Sequence, residues 1–590
     1  MRHLCAFAFF LALAVAMTWP LATQLSTAVP DLGDPLLNAW IVDWVCHALS
    51  TAPLSLFDGP MYWPARFSIA FSENMTGIAL AVLPFHLAGY DAIAVYNIAL
   101  LLGFAFSGYG AWVLCRVVTG NGLASLIGGV IHAFASFKIA HVQHLQIVWS
   151  GWLPLMLAAL FLYWRRPSWR NAALLGGAFL MNGLTNIHWL LFGGFALVVT
   201  IAFRREQWQK LFAALAIASL LLLPVLLPYQ IVASEYGARR TSFEARLGSA
   251  APGHWLVGSS RNLIYGRFLS DWRTDERELF PGLLALALCL LNVGRASARL
   301  PRERRAEARP TLRLDLAIGV LAVITTFILM KGRISLGPLS FAGADVPGMV
   351  LVVLLLVRFW PWLRAKLSGY SREELTAALW VAIGFLGSLG WYFFLHPFLF
   401  RVVTPFRATR TPARWAVIAY VGIALLAAVG AARFRKRVAL GLLALAIVDV
   451  AARVNWVQVP DVSPVYAWVR RERPRAIVEL PMIWHGVPFI YLHAQTTHRV
   501  PLVNGTSGFE TPAHERLRKL EAALQYNDEL MKDADVLIVH EAMMSDEQMT
   551  ALQPLLARLE PVHRWGLDAV FRTRRAPAGN ASAPPGSPPR

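Results

Sequence analysis

Apolar runs of about 20 residues, the length an α-helix needs to cross the hydrocarbon core, recur from the first line of the sequence to about residue 452. Short clusters of Arg and Lys separate them. These are Arg165, Arg166 and Arg170; Arg204, Arg205 and Lys210; the run from Arg295 to Arg313; Arg364, Lys366 and Arg372; and Arg433, Arg435, Lys436 and Arg437. Short loops rich in these residues stay cytoplasmic. Placing them all on that side, with Arg2 and Arg116, gives one consistent threading. Its spans fall at about 4–20, 93–116, 122–138, 146–164, 170–185, 187–203, 210–228, 279–294, 314–330, 348–364, 374–390, 413–432 and 437–453. About thirteen helices result, with a cytoplasmic N-terminus and an extracytoplasmic C-terminus.

Residues 76–88 are apolar but short, and counting them as a span would turn Arg116 and every later cluster outward. They are read as a re-entrant or interfacial helix inside a first outer loop of about residues 21–92. A second long outer loop covers about 229–278, with shorter ones at 331–347 and 391–412.

Beyond residue 453 the pattern changes. "AIVELPM" (476–482) and "DADVLIVHEA" (533–542) read as short buried strands, and "PAHERLRKLEAAL" (512–524) has helical periodicity. Residues 454–575 are long enough for a core of their own. The tail 576–590, rich in Pro, Gly, Ala and Ser, is expected to be disordered. The expected fold class is mainly α: a polytopic transmembrane helical bundle over residues 1–453, with a small C-terminal α/β extracytoplasmic domain.

Composition agrees with this pattern. The 590 residues are 57% hydrophobic and only 15% charged, with a mean hydropathy of +0.51, too little polar surface for a soluble protein of this size. The net charge of +19 lies in loops between apolar runs and forms no patch on a soluble domain, which excludes nucleic acid as the expected partner. Cys5, Cys46, Cys115 and Cys289 are scattered and form no disulfide framework. Residues 4–17 continue into Met17-Thr18-Trp19-Pro20 without a small-residue cleavage site, so they read as an uncleaved first helix.

Ionisable residues are sparse at span centres. His132 lies mid-span, while Lys138, Asp315, Arg414 and Asp449 fall near span ends. This weighs against a transporter, whose pathway places such groups deep in the helices.

The outer loops carry the polar chemistry. "VPDLGDPLLNAWIVDW" sets Asp31 and Asp34 directly after the first span, and Gly33 and Pro35 fix a turn from which both carboxylates can face one pocket. Helix capping by Asp34 would account for one of them only. Asn38, Trp40, Asp43 and Trp44 follow at helical spacing, as in an amphipathic helix lying at the interface.

Glu73 and Asn74, then His141 and His144, then Asn186 and His188 fall on the same face of the threading. His141 and His144 have zinc-ligand spacing, but no Cys or third His accompanies them. The outer cations are Arg239, Arg240, Lys331, Arg333, Arg407, Arg410 and Arg414, densest in "PFRATRTPARW" (405–415). Arginines here can bind phosphate through paired hydrogen bonds or anchor at lipid headgroups. The combination points to a reaction on a lipid-linked substrate, in which a carboxylate takes the proton of an attacking hydroxyl. Cations or a metal ion would stabilise the phosphate leaving group.

The stretches "GDPLLNAWIVDW", "AVYNIALLLGFAFSGYGAWVL", "HVQHLQIVWSGWLPL", "FRATRTPARWAV" and "VELPM…PLVNGTSGF" resemble, over the chain to about residue 572, the GT-C superfamily of integral membrane glycosyltransferases. That resemblance implies a bacterial inner-membrane hexosyl- or pentosyltransferase. Its donor would be a polyprenyl-phosphate-linked sugar, and its acceptor an extracytoplasmic lipid, envelope glycan or protein. Asp31 or Asp34 would be the general base, and Glu73, His141, His144, His188, Arg407 and Arg410 the substrate contacts. The Asp-x-x-Asp spacing is looser than the family's adjacent or D-x-D forms, which leaves a divalent metal ion open. The alternatives are a polytopic transporter or lipid flippase and a non-catalytic scaffold.

Overall fold

The computed structural model describes residues 2–202, 208–270, 276–298, 312–331, 334–336, 339–341, 344–483 and 486–573. The expected disordered tail, 576–590, lies outside the described residues, as do Arg204, Arg205, Arg333 and most of the 295–313 run. The chain divides into two compact units, Met1–Pro30 with Glu73–Val457, and Asp31–Ser72 with Gln458–Arg590.

The first unit is helical. A helix lies on each of the thirteen apolar stretches, from Arg2–Met17 to Lys436–Asp449. Among the described residues, five are long and apolar enough to cross a membrane: Ala92–Thr119, Gly122–Ala140, Leu145–Arg165, Trp208–Glu235 and Pro412–Ala431. The chain is a multi-pass membrane protein. The Thr76–Leu87 helix has 12 residues, too few to span.

Local signals set the helix ends. Asp91 accepts from the Ala94 amide at 2.9 Å, and Asn121 accepts from Leu123 and Ala124 at 3.1 and 3.2 Å, each satisfying amides that have no intrahelical partner. Gly120, at φ 66°, ends the Ala92–Thr119 helix in the left-handed region, where a side chain would be strained. Ser371 and Glu374 form a reciprocal capping box at the start of Arg372–Ser388.

The most apolar window of Pro412–Ala431 is 89% buried, against 28% for that of Trp208–Glu235. The former is therefore the central helix, while the latter turns Phe212, Ile217, Leu220 and Leu227 outward, a surface suited to acyl chains. Arg372–Ser388 packs closely on the central helix. A Cβ on Gly384 would lie 2.2 Å from the Ala419 amide nitrogen, so only glycine allows this approach.

The second unit carries a four-stranded sheet. Ile477–Leu480 runs parallel to Val536–His540, with Ile477 opposite Val536 and Leu480 opposite Val539. Asp568–Arg572 pairs antiparallel on the other side of Val536–His540, and Glu560–Trp565 closes the edge. Val536, Leu537, Ile538 and Val539 are fully buried, each contributing roughly 2 kcal/mol of apolar burial. The expected strands and the helix at 512–524 correspond to Ile477–Leu480, Val536–His540 and Pro512–Ala522.

Residues 31–72 fold onto this unit. The Asp34–Thr51 helix packs on Val487–His498, where Trp40 Nε1 donates to Gln495 Oε1 at 2.8 Å and Arg499 pairs with Asp43 at 2.8 Å. The expected amphipathic interfacial helix is corrected here. Its residues are buried on most sides, and Trp40 is 2% exposed, because its polar positions are spent on partners within the unit.

Candidate functional site

In the first unit the polar residues at helix ends and loops gather in three places. The first is built on a helix break. Asn186 takes extended backbone angles and ends the Trp169–Thr185 helix, so a new helix, Ile187–Ala202, starts with amides that need acceptors. Glu73 supplies one: its Oε2 accepts from the Ile187 amide at 2.7 Å, where the helix dipole favours a carboxylate. Its Oε1 lies 2.7 Å from His188 Nδ1. Asn186 Oδ1 accepts from the His188 amide at 2.7 Å, and Asn186 Nδ2 donates to the Gln146 carbonyl at 3.0 Å. His396 lies near His188. Burial, with His188 adding to it, holds His396 down to about 3, and its Nδ1 accepts from Trp415 Nε1 at 3.1 Å.

The second place is centred on Glu276, which the sequence reading did not single out. Arg414 donates to it through Nε and a terminal nitrogen, both at 2.9 Å. His141 Nε2 and His144 Nε2 each lie 3.7 Å from its oxygens. His141 Nδ1 is 2.7 Å from the Phe137 carbonyl; a carbonyl only accepts, so Nδ1 carries a proton and in the neutral ring Nε2 presents its lone pair. Burial lowers the His141 pKa despite the nearby carboxylate. Burial pushes Glu276 upward, but Arg414 and the two histidines hold it well below the usual carboxylate range. Arg414 thus belongs to an internal ion pair. Among the described residues, no group of three or more His, Cys, Asp and Glu could hold a metal ion.

The third place is a cavity of about 740 Å³, lined by Arg239, Arg240, Arg401 and Arg407, by Trp391, Tyr392, Phe393, Phe394 and Phe400, and by Asp345. This is the size of a small-molecule site. Arg240 pairs with Glu244 and Arg401 with Asp345, both at 3.0 Å. Arg407 is half-buried and donates to the backbone carbonyls of Phe400 and Arg401 at 3.3 and 3.1 Å. Among the described residues, neither Arg239 nor Arg407 has a carboxylate partner. Arg410 is exposed. Burial lowers Arg240, and Arg410 and Arg414 lower it further, which marks a local crowding of positive charge. Arginines beside aromatic walls are suited to an anion carrying an apolar chain.

Asp31 and Asp34 lie in the second unit. Asp31 Oδ1 accepts from the Gly33 amide at 2.8 Å, an Asx-type turn. Gly33 is the N-cap of Asp34–Thr51, and Asp34 stands inside the first turn, followed by Pro35. The capping explanation for Asp34 therefore does not apply. Both side chains are half-buried.

Lys138, expected near a span end, is fully buried. Its Nζ donates to the Ile147 and Val148 carbonyls at 2.7 and 3.2 Å and to Ser150 Oγ. With its three N–H donors engaged, it ties together the interrupted Leu145–Arg165 segment.

No family model matches the sequence, and no curated protein matches it. Among solved structures the chain is similar to ArnT from Cupriavidus metallidurans in the apo state, at 14% identity and a TM-score of 0.36, over 96% of this chain and 97% of that one. It is similar to the same protein bound to undecaprenyl phosphate, at 14% identity and a TM-score of 0.36, over 97% and 99% of the two chains.

Proposed function

We propose that the protein is a GT-C-like membrane glycosyltransferase that moves a sugar from a polyprenyl-phosphate carrier to an extracytoplasmic acceptor. The observation that carries this reading is the arginine–aromatic cavity: Arg239 and Arg407, which have no carboxylate partner among the described residues, supply positive charge, and five aromatic side chains supply apolar wall. A carrier of this class has a phosphate at one end and hydrocarbon at the other, and it reaches such a cavity from the bilayer.

In this reading Asp31 or Asp34 takes the proton of the acceptor hydroxyl as its oxygen attacks the sugar's anomeric carbon. The bond from that carbon to the phosphate oxygen breaks, and the electron pair leaves on polyprenyl phosphate, stabilised by the arginines. Glu73, His188, His141 and His144 contact the substrates or hold the groups that do. The acceptor side faces away from the cytoplasm, with the N-terminus cytoplasmic and the C-terminus extracytoplasmic, in a bacterial inner membrane crossed about thirteen times.

Incubation of the purified protein with a polyprenyl-phosphate pentose or hexose and envelope lipids tests this. Transfer of label with release of polyprenyl phosphate supports the reading. Release with none of the sugars, under conditions where the lipid binds, refutes it.

A further inference from the structure

The wall of the arginine–aromatic cavity holds one acidic side chain among its described residues. Asp345 stands with Arg239, Arg240, Arg401 and Arg407 around the same space of about 740 Å³, and it is 7% exposed. It lies in the first turn of the Asp345–Leu367 helix, where the helix dipole favours a carboxylate. Its Oδ1 is 3.0 Å from a terminal nitrogen of Arg401, and its Oδ2 has no hydrogen-bond partner among the described residues.

This pair is easily parted. Arg414 and Glu276 meet through two hydrogen bonds, with the arginine side chain 6% exposed. Asp345 and Arg401 meet at one point, with the Arg401 side chain 51% exposed. A single-point pair with a half-exposed partner is weak. Glu244, the partner of Arg240, is committed elsewhere: its Oε2 accepts from the Thr241 amide and hydroxyl in a capping box. Asp345 is the carboxylate on the cavity wall itself.

An anion entering this cavity meets both a cation it can take over and a carboxylate that repels it. The repulsion scales with the charge of the anion. A sugar-bearing phosphate diester carries a single negative charge, whereas a phosphate monoester carries about 1.5 to 2 at neutral pH. Asp345 therefore opposes the freed carrier more than the glycosylated donor.

We propose that Asp345 is an internal competitor for the ligand's phosphate: it holds Arg401 until a phosphate takes that arginine over, and its charge hastens departure of the carrier once the sugar has gone. The inference rests on the glycosyltransferase reading, and the two fail in different measurements.

The probes are polyprenyl phosphate and its methyl ester, a diester with the charge of the donor, titrated calorimetrically into the full-length protein in detergent. Asp345→Asn is expected to bind polyprenyl phosphate about tenfold more tightly than wild type does. The methyl ester should gain only about threefold, because halving the ligand's charge halves the repulsion. Asp345→Ser, also suited to a helix start, repeats the test if Asp345→Asn does not fold. Added polyprenyl phosphate should inhibit sugar transfer by the variant about tenfold more strongly than by wild type. A folded Asp345 variant with unchanged or weakened affinity for polyprenyl phosphate, or with an equal gain for both lipids, overturns the inference and leaves the glycosyltransferase reading standing. Wild type that binds neither lipid overturns the assignment of the cavity, and this inference with it.

Discussion

Arg414 and Glu276 meet through two hydrogen bonds of 2.9 Å, and the arginine is 5% exposed. The pair joins the N-terminal end of the central helix to the segment that precedes the Leu283–Ala298 helix. Two histidines, His141 and His144, face the same carboxylate at 3.7 Å.

Glu276→Gln should therefore destabilise the protein strongly. It removes the full negative charge that accepts two hydrogen bonds from the buried Arg414, a loss of about 3 kcal/mol. Thermal unfolding of the detergent-solubilised variant should show a clear drop in Tm. Because the folded-state pKa of Glu276 is depressed, its contribution is present above the unfolded carboxylate range and is lost as pH falls through the folded value. Wild type and variant should accordingly converge in acid. A variant with wild-type Tm at pH 7 would contradict this role.

In the second unit two carboxylates, the buried Glu479 and the half-buried Asp568, flank His540. Its Nδ1 lies 2.7 Å from Asp568 and its Nε2 2.9 Å from Glu479, which also accepts from Tyr466 Oη at 2.6 Å. Burial works against protonation of His540, but Asp568 and Glu479 raise it to about 9. A raised pKa contributes stability that is complete below the unfolded value of about 6.5 and lost as pH rises through about 9, on the order of 3 kcal/mol in total. Amide exchange across residues 536–540, corrected for its intrinsic pH dependence, should lose protection between these limits. His540→Gln should remove that pH dependence, and a variant that retains it would show that another group is responsible.

Much of the membrane unit could be read from the sequence because its signal is coarse. Apolar runs and arginine clusters mark helices without knowledge of contacts, and a helix is found on each of the thirteen stretches. The two strands at Ile477–Leu480 and Val536–His540 were visible for the same reason, being short continuous apolar runs. Glu276 was not visible. In "TDERELF" an acidic residue among other charges looks solvated, and only the fold brings it to Arg414, which lies 138 positions away. The Glu73–His188 bond spans 115 positions, so sequence spacing could offer both residues as candidates but not as partners. The Asp34–Thr51 helix misled in the opposite way: its Trp and Asp residues resemble an interfacial face until Gln495 and Arg499 are seen to meet Trp40 and Asp43.

Those contacts give a further expectation. Gln495→Ala removes the acceptor of the buried Trp40 indole, which costs roughly 1–3 kcal/mol when a donor is left unsatisfied. Hydrogen exchange along residues 34–51 should accelerate while exchange in the Ala92–Thr119 helix stays unchanged. Equal exchange in variant and wild type would mean that Asp43–Arg499 alone holds the helix.

Arg407 is the cation in the cavity with the firmest backbone support, through the Phe400 and Arg401 carbonyls. Arg407→Lys keeps the charge but loses the planar fork that holds it and matches a phosphate. It should weaken binding of polyprenyl phosphate, and Arg407→Gln should weaken it further. Equal affinity in all three proteins would remove Arg407 from the site.

In the proposed reaction a carboxylate of the Asp31–Asp34 turn is the base as the sugar leaves a lipid phosphate. The most direct measurement is the rate of sugar transfer from a synthetic polyprenyl-phosphate donor by wild type, Asp31→Asn and Asp34→Asn under one set of conditions. Transfer by wild type, reduced about 100-fold or more in at least one variant with donor binding retained, is the expected result. Undiminished transfer by both variants would contradict it.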